Sequence, residues 1–100
     1  MKKRIALFAL AASFCTAPAI ADMALATEKL CTACHQVENK VVGPSYKEVA
    51  AKYKGNTDAA SLAGKIKAGG VGVWGQIPMP PQPTLSDEDA TKLAEWILAQ

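Results

Sequence analysis

Apolar residues recur with the spacing i, i+3, i+4 and i+7 in several segments of the chain, as in helices with one buried face. The first such segment follows Asp22 and extends from Met23 to Val37. The apolar positions of three further segments are Tyr46, Val49, Ala50 and Tyr53; Leu62, Ala63 and Ile66; and Ala90, Leu93, Ala94 and Ile97. No segment alternates with the period of two that is typical of a strand. The pattern therefore predicts an all-α fold of about four helices.

Polar residues mark the expected beginnings of these helices. Asp22, Ser45, Asp58 and Ser86 directly precede the four segments, and each can accept a hydrogen bond from the first helical turn. Glycines follow the second and third segments, where they can end a helix. Trp96 lies beside the apolar stripe of the last segment, and we expect its side chain to be half-buried.

The first 21 residues have the pattern of a secretory signal peptide. Three cations at positions 2–4 precede an apolar run from Ile5 to Phe14, and small residues follow, which predicts cleavage after Ala21. The run is shorter than the roughly 20 apolar residues that a membrane span requires. We therefore expect an exported protein without stable membrane insertion, whose functional domain is residues 22–100.

Removal of the leader changes the charge of the chain. The formal net charge of +2 includes three cations of the leader, and the remaining eight lysines and nine acidic residues give a net charge of −1. This balance does not favour nucleic-acid binding. The remaining length suits one small domain, which we expect to be monomeric.

The clearest chemical motif is Cys31, Thr32, Ala33, Cys34, His35, the spacing at which haem c is attached. Each thiol can add to one vinyl group of haem, and on a helix the i, i+3 spacing places both sulfur atoms on one face. His35 then points toward the iron. The sequence therefore predicts one covalent haem c, with His35 as an axial ligand.

Other kinds of cysteine site fit residues 22–100 less well than haem attachment does. A structural zinc site or an iron–sulfur cluster takes four ligands, whereas this region has two cysteines and one histidine. A thioredoxin-like dithiol requires a βαβ pattern. A disulfide between Cys31 and Cys34 would close too short a loop to constrain the chain. A domain this small commonly needs a cofactor to complete its core, which also favours haem.

Residues 68–85 carry no charge and contain four glycines and four prolines, so they predict a stiff loop. Long loops in small domains are usually functional. Met79 lies in it between Pro78 and Pro80, which restrict the path of the chain. We therefore assign Met79 as the second axial ligand of the iron; a methionine that only fills the core is the alternative.

These residues resemble the small bacterial class I cytochromes c of the c-551 and c-552 type. The resemblance extends over almost all of residues 22–100. It includes the Cys31–His35 motif, the stretch 42–44, the helix 46–53, and residues 72–75 and 77–81. It implies a small cytochrome c fold wrapped around one haem, with His35 and Met79 as iron ligands.

The resemblance also implies roles for residues around the haem. The Pro44 carbonyl would accept a hydrogen bond from the His35 ring, and Trp74 and Lys65 would lie near a haem propionate. A loop aromatic in the core and a solvated lysine are the alternatives for these two. Gln82 stands where many relatives have an asparagine that can touch the ligand sulfur, and its longer side chain can alter that contact.

If His35 and Met79 fill both axial positions of the iron, no position is open for a substrate, which implies electron transfer rather than catalysis. We expect a periplasmic carrier that passes single electrons between an upstream cytochrome and a terminal reductase or oxidase. The alternative is a sensor of small ligands or a peroxidase-like enzyme, in which Met79 is displaced from the iron.

Overall fold

The computed structural model describes residues 18–100. Its helices are α1 (Pro18–Glu28), α2 (Tyr46–Tyr53), α3 (Ala59–Ala68) and α4 (Asp87–Leu98), and a short 3₁₀ turn covers Cys31–Ala33. In this part of the chain the β-type pairing is limited to two isolated backbone bridges, and there is no sheet. The all-α prediction is confirmed. The predicted leader lies outside the described residues, except that the backbone of its last four begins α1.

The last three helices begin at the predicted caps. In each, the side-chain oxygen of the capping residue accepts a hydrogen bond from the backbone N–H three positions later, which satisfies a group that the helix leaves unpaired. The pairs are Ser45 with Glu48, Asp58 with Ser61, and Ser86 with Asp89. These local bonds fix where α2, α3 and α4 start.

The first helix differs from its prediction. It begins at Pro18 rather than after Asp22, and it ends at Glu28 rather than continuing to Val37. Leu30 has a φ of 65°, in the left-handed region that interrupts an α-helix. The prediction that the cysteines lie on this helix is therefore wrong. They lie on and directly after the separate 3₁₀ turn at Cys31–Ala33.

Helix α4 is the centre of the core, because α1, α2 and α3 all pack against it. Ala26 of α1 and Ala90 and Ala94 of α4 are fully buried. Such small side chains let two helices approach closely. The larger members of the same core are Tyr46, Leu62, Ile66, Leu85, Leu93, Trp96 and Ile97.

The prediction that Trp96 is half-buried is wrong, since its side chain is only 5% exposed. The reason is that three helices cover α4, so its buried face is wider than one apolar stripe. The ring of Trp96 packs edge to face against Tyr46 of α2, with 4.8 Å between ring centroids.

Residues 69–86 connect α3 to α4 without a helix, close to the predicted limits of the loop. One of the two backbone bridges, between Gly70 and Met79, closes the loop at its base. None of the helices within residues 18–100 has the length and apolar character needed to cross a membrane.

Candidate functional site

One cleft contains all four residues that the sequence predicts to hold haem. Its volume is ≈ 360 Å³, and Cys31, Cys34, His35 and Met79 all line it. The first three come from the 3₁₀ turn and the residues after it, and Met79 comes from the long loop. Tertiary structure thus brings together two segments that lie more than 40 positions apart.

The lining of the cleft is largely apolar. Val42, Val71, Val73, Trp74 and Ile77 line it, although each of these large side chains is more than a third exposed. Apolar side chains gathered in this way mark a place where an apolar ligand binds. A flat porphyrin ring is a ligand of the right character, since it would cover these side chains.

The His35 ring is oriented by the backbone carbonyl of Pro44. Its Nδ1 atom lies 2.7 Å from the Pro44 oxygen. A carbonyl oxygen can only accept a hydrogen bond, so Nδ1 carries the proton and donates. In this tautomer the Nε2 lone pair is available to a metal ion. The contact is the one that the resemblance implies.

The backbone around His35 is also held by local hydrogen bonds. The N–H groups of Cys34 and His35 both donate to the Cys31 carbonyl, at 3.1 and 2.9 Å, and the Gly43 N–H donates to the Cys34 carbonyl at 2.8 Å. The two cysteines are partly exposed and are not bonded to each other. Burial raises the pKa of the Cys31 thiol. Because neither cysteine is fully buried or in a disulfide, both sulfur atoms remain available for attachment of a ligand.

Tyr46 belongs to the site, although the sequence analysis assigned it only to the apolar face of α2. Its ring lies 5.6 Å from the His35 ring, between centroids, and it lines the cleft. Burial raises the pKa of its phenol well above the usual value, so the group is neutral. The feature of the sequence that points to this role is the position of Tyr46, two residues after Pro44.

Met79 is held by the base of its loop. Its N–H donates to the Gly70 carbonyl at 2.8 Å, and its own carbonyl accepts from the Gly70 N–H at 3.0 Å. The side chain is partly buried, and it packs against the main core while it also lines the cleft. It therefore has both a fixed backbone and access to the cleft.

Lys65 and Trp74, which the resemblance places near a propionate, both line the cleft. Tyr53 lies between them: its ring is 6.4 Å from that of Trp74, and the Lys65 ammonium is 5.8 Å from its centroid. The ammonium of Lys52, a residue that no motif in the sequence indicates, lies 5.5 Å from the Trp74 ring centroid. This part of the cleft therefore has two cations beside two aromatic rings.

Gln82 does not line the cleft. Its side-chain amide donates to the Pro80 carbonyl at 3.3 Å, and its backbone N–H donates to the Lys67 carbonyl at 2.8 Å. In this structure its contacts are with the backbone of the loop and of α3.

The cytochrome c family model matches residues 23–100. The chain is 59% identical to cytochrome c-552 of Nitrosomonas europaea over 92 residues, which cover 91% of this chain and 89% of that one. It is 50% identical to cytochrome c-551 of Stutzerimonas stutzeri, over 99% of this chain and 98% of the other.

Solved structures of cytochromes are similar to this chain in both sequence and fold. The crystal structure of wild-type Nitrosomonas europaea cytochrome c552 superposes with a TM-score of 0.74 at 62% identity, and the match covers 77% of this chain and 96% of that one. A class 1 cytochrome from Sideroxydans lithotrophicus superposes with a TM-score of 0.64 at 33% identity, over 80% and 92% of the two chains. The similarity in sequence therefore extends to the fold.

Proposed function

Because this chain belongs to the cytochrome c family, we propose that it is a periplasmic electron carrier whose His35 and Met79 ligate the iron of its haem. The family attaches haem c through a Cys-x-x-Cys-His motif, which is present here as Cys31, Cys34 and His35. Its small c-551 and c-552 members are electron carriers and not enzymes. The proposal adds the axial ligands, the cellular compartment and the partners.

The observation that carries the proposal is the hydrogen bond between His35 and Pro44. It fixes the tautomer that has a free Nε2 lone pair, in the same cleft as Met79 and both cysteines. A haem bound there would supply exchange of one electron between ferric and ferrous iron. The residues of the chain would attach the ring, orient the imidazole and hold the thioether.

The two proposed ligands also explain why the protein would carry electrons without catalysing a reaction. Nε2 of His35 and the sulfur of Met79 would both bind the iron, which would leave no position on it for oxygen or a substrate. A soft thioether favours the reduced state relative to a harder ligand. The hydrogen bond to Pro44 holds the His35 ring, and the Gly70–Met79 bridge holds the backbone of Met79. Both would limit rearrangement when the charge of the site changes.

The apolar lining would exclude water from the ring. Val71, Val73 and Ile77 are each more than half exposed beside the cleft, and a bound ring would bring them into contact with apolar surface. Low local polarity around the iron is one means by which a protein sets the potential of a haem.

The proposed partners are other redox proteins, namely an upstream cytochrome and a terminal reductase or oxidase. The predicted leader supports export to the periplasm, and attachment of the haem goes together with export in the resembling family. Lysines 40, 52 and 65 lie at the cleft or beside its aromatic rings. A cationic rim of this kind would guide an acidic partner toward the haem.

The proposal is tested with the mature holoprotein. Ferric protein with a methionine on the iron shows a weak far-red charge-transfer absorption, and the ferrous form resists carbon monoxide. Met79→Leu should abolish the band and allow carbon monoxide to bind. The control is Met23→Leu, because Met23 packs at the edge of the core and does not line the cleft.

Two results would contradict the proposal. Rapid carbon monoxide binding by the wild-type protein would favour a ligand sensor or a peroxidase-like enzyme with a displaceable methionine. A far-red band that survives Met79→Leu would show that another group ligates the iron.

A further inference from the structure

The end of α3 holds the segment that carries Met79. The last carbonyl groups of any helix lack partners within the helix. Here the Lys67 carbonyl accepts a hydrogen bond from the Gln82 N–H at 2.8 Å, and Gly70 exchanges two hydrogen bonds with Met79. Residues 79–82 are therefore bonded to the residues at which α3 ends.

Gly69 lies between these bonds and touches the same segment. A Cβ atom at position 69 would lie 2.8 Å from Pro80 C and from Pro81 N, and still closer to the Met79 carbonyl oxygen. Such distances are shorter than any ordinary contact of a Cβ atom, and all three neighbours are backbone atoms that have little freedom to move aside. The backbone of residues 79–81 thus rests directly on the bare α-carbon of Gly69.

Neighbouring hydrogen bonds, an ion pair and a buried side chain hold both Gly69 and the segment after Met79 in place. The Gly69 N–H donates to the Lys65 carbonyl at 2.9 Å, which joins Gly69 to α3. The Lys67 side chain forms an ion pair with Asp87, the first residue of α4. Leu85, between Gln82 and Asp87, is buried in the core. The segment that begins at Met79 is therefore anchored beyond the contact as well.

The prolines next to Met79 determine how a displacement of the Met79 backbone would affect its side chain. Pro78, Pro80 and Pro81 fix their own φ angles, so the chain around Met79 has few ways to absorb a shift. A shift of the Met79 carbonyl would move its side chain with it.

We propose that Gly69 is a positioning residue for Met79: its bare α-carbon sets how far the Met79 sulfur reaches toward the haem iron. The inference rests on the proposed function, in which Met79 is the ligand. In this proposal, a glycine at the end of α3 controls how tightly the Met79 thioether binds the iron.

Substitution of Gly69 by asparagine tests this contact. Gly69 has a φ of 65° and a ψ of −164°, a conformation that essentially only glycine adopts, so Gly69→Asn adds backbone strain at the end of α3 together with the Cβ atom. The matched control is Gly55→Asn. Gly55 also has a positive φ, of 82°, so substitution there strains the backbone as well, but a Cβ atom at position 55 would meet nothing within 4 Å. Gly69→Ala and Gly55→Ala form a second pair, in which the added side chain is a single methyl group.

The readouts are the far-red band of the ferric holoprotein and its affinity for added imidazole, with the unfolding midpoint measured alongside. Gly69→Asn should weaken or abolish the band and raise the affinity for imidazole about tenfold, as expected when a strained contact is relieved by release of the ligand. Gly55→Asn should leave the band and the affinity as in the wild-type protein, whatever its effect on the unfolding midpoint.

The inference is overturned if Gly69→Asn keeps the wild-type band and affinity, or if Gly55→Asn changes them equally. The alanine pair decides the question by the same criteria if an asparagine variant does not fold. A wild-type protein without the far-red band would overturn the proposed function, and this inference with it. A band that is present in the wild type and unchanged in both Gly69 variants would overturn the inference alone.

Discussion

Gly43 lies directly against the imidazole ring of His35. A Cβ atom at position 43 would lie 2.8 Å from Nδ1, the atom that donates to the Pro44 carbonyl, and closer still to Cε1. Only a residue without a side chain leaves room for the ring in this orientation. The glycine and the carbonyl of the next residue thus position one imidazole between them.

Gly43→Ala is expected to displace the His35 ring and weaken its hydrogen bond to Pro44. Overpacking of this kind costs about 1–3 kcal/mol, measured as a lower free energy of unfolding of the holoprotein. The NMR signals of the imidazole protons should shift at the same time.

The control for this prediction is Gly64→Ala, at an exposed position within α3 where a Cβ atom meets nothing within 4 Å. This change should stabilise the protein by roughly 0.5–1 kcal/mol, since glycine is unfavourable inside a helix. Equal effects of the two substitutions would mean that the contact of Gly43 with His35 has no influence.

Trp96→Ala is expected to be among the most destabilising substitutions in α4. The side chain is 5% exposed and packs on Tyr46, and loss of a buried tryptophan costs about 3–5 kcal/mol. Trp96→Phe should cost clearly less, because an aromatic ring remains and the indole N–H, which has no partner within the described residues, is removed. Denaturant unfolding of both variants measures the difference. A loss below about 1 kcal/mol for Trp96→Ala would contradict the burial of this residue.

Ser45→Ala should remove the cap of α2. The side chain is 1% exposed, and its oxygen accepts from the Glu48 N–H at 3.1 Å. Loss of such a cap costs about 1 kcal/mol. Ser86→Ala removes a cap of the same geometry at an exposed site, where water can replace the lost oxygen, so its effect should be smaller. The two unfolding free energies test this order, and a larger effect at Ser86 would contradict it.

The stability of the protein should fall in acid partly because of Asp58. Hydrogen bonds from the backbone and side chain of Ser61 hold the pKa of this carboxyl below its ordinary value of 3.8. The folded state therefore binds a proton less readily than the unfolded state. The contribution to stability is present above pH 3.8 and is lost as the pH falls through the lower pKa of the folded state.

Two variants separate the charge of Asp58 from its role as a cap. Asp58→Asn keeps an oxygen that can accept from the Ser61 N–H, so it should stay folded at neutral pH and lose less stability on acidification. Asp58→Ala should be less stable at every pH, because the cap is gone. Thermal unfolding at a series of pH values distinguishes them, and identical acid dependence in Asp58→Asn and the wild type would contradict the assignment.

Features that depend on neighbours in the chain could be predicted from the sequence. The caps at Ser45, Asp58 and Ser86 act over three residues, so the starts of three helices follow from local chemistry. The spacing from Cys31 to His35 is likewise a local motif. The two prolines that flank Met79 in an uncharged loop are a local signal of the same kind.

Features that depend on contacts between distant segments were decided only by the tertiary structure. Leu30 takes a left-handed conformation that no pattern of apolar residues indicates, so α1 ends earlier than its apolar periodicity predicts. Trp96 is buried because three helices pack around α4. The backbone of residues 79–81 contacts Gly69, which lies ten or more positions earlier in the chain. Close approach of this kind is set by how the helices pack, which periodicity along the chain does not encode.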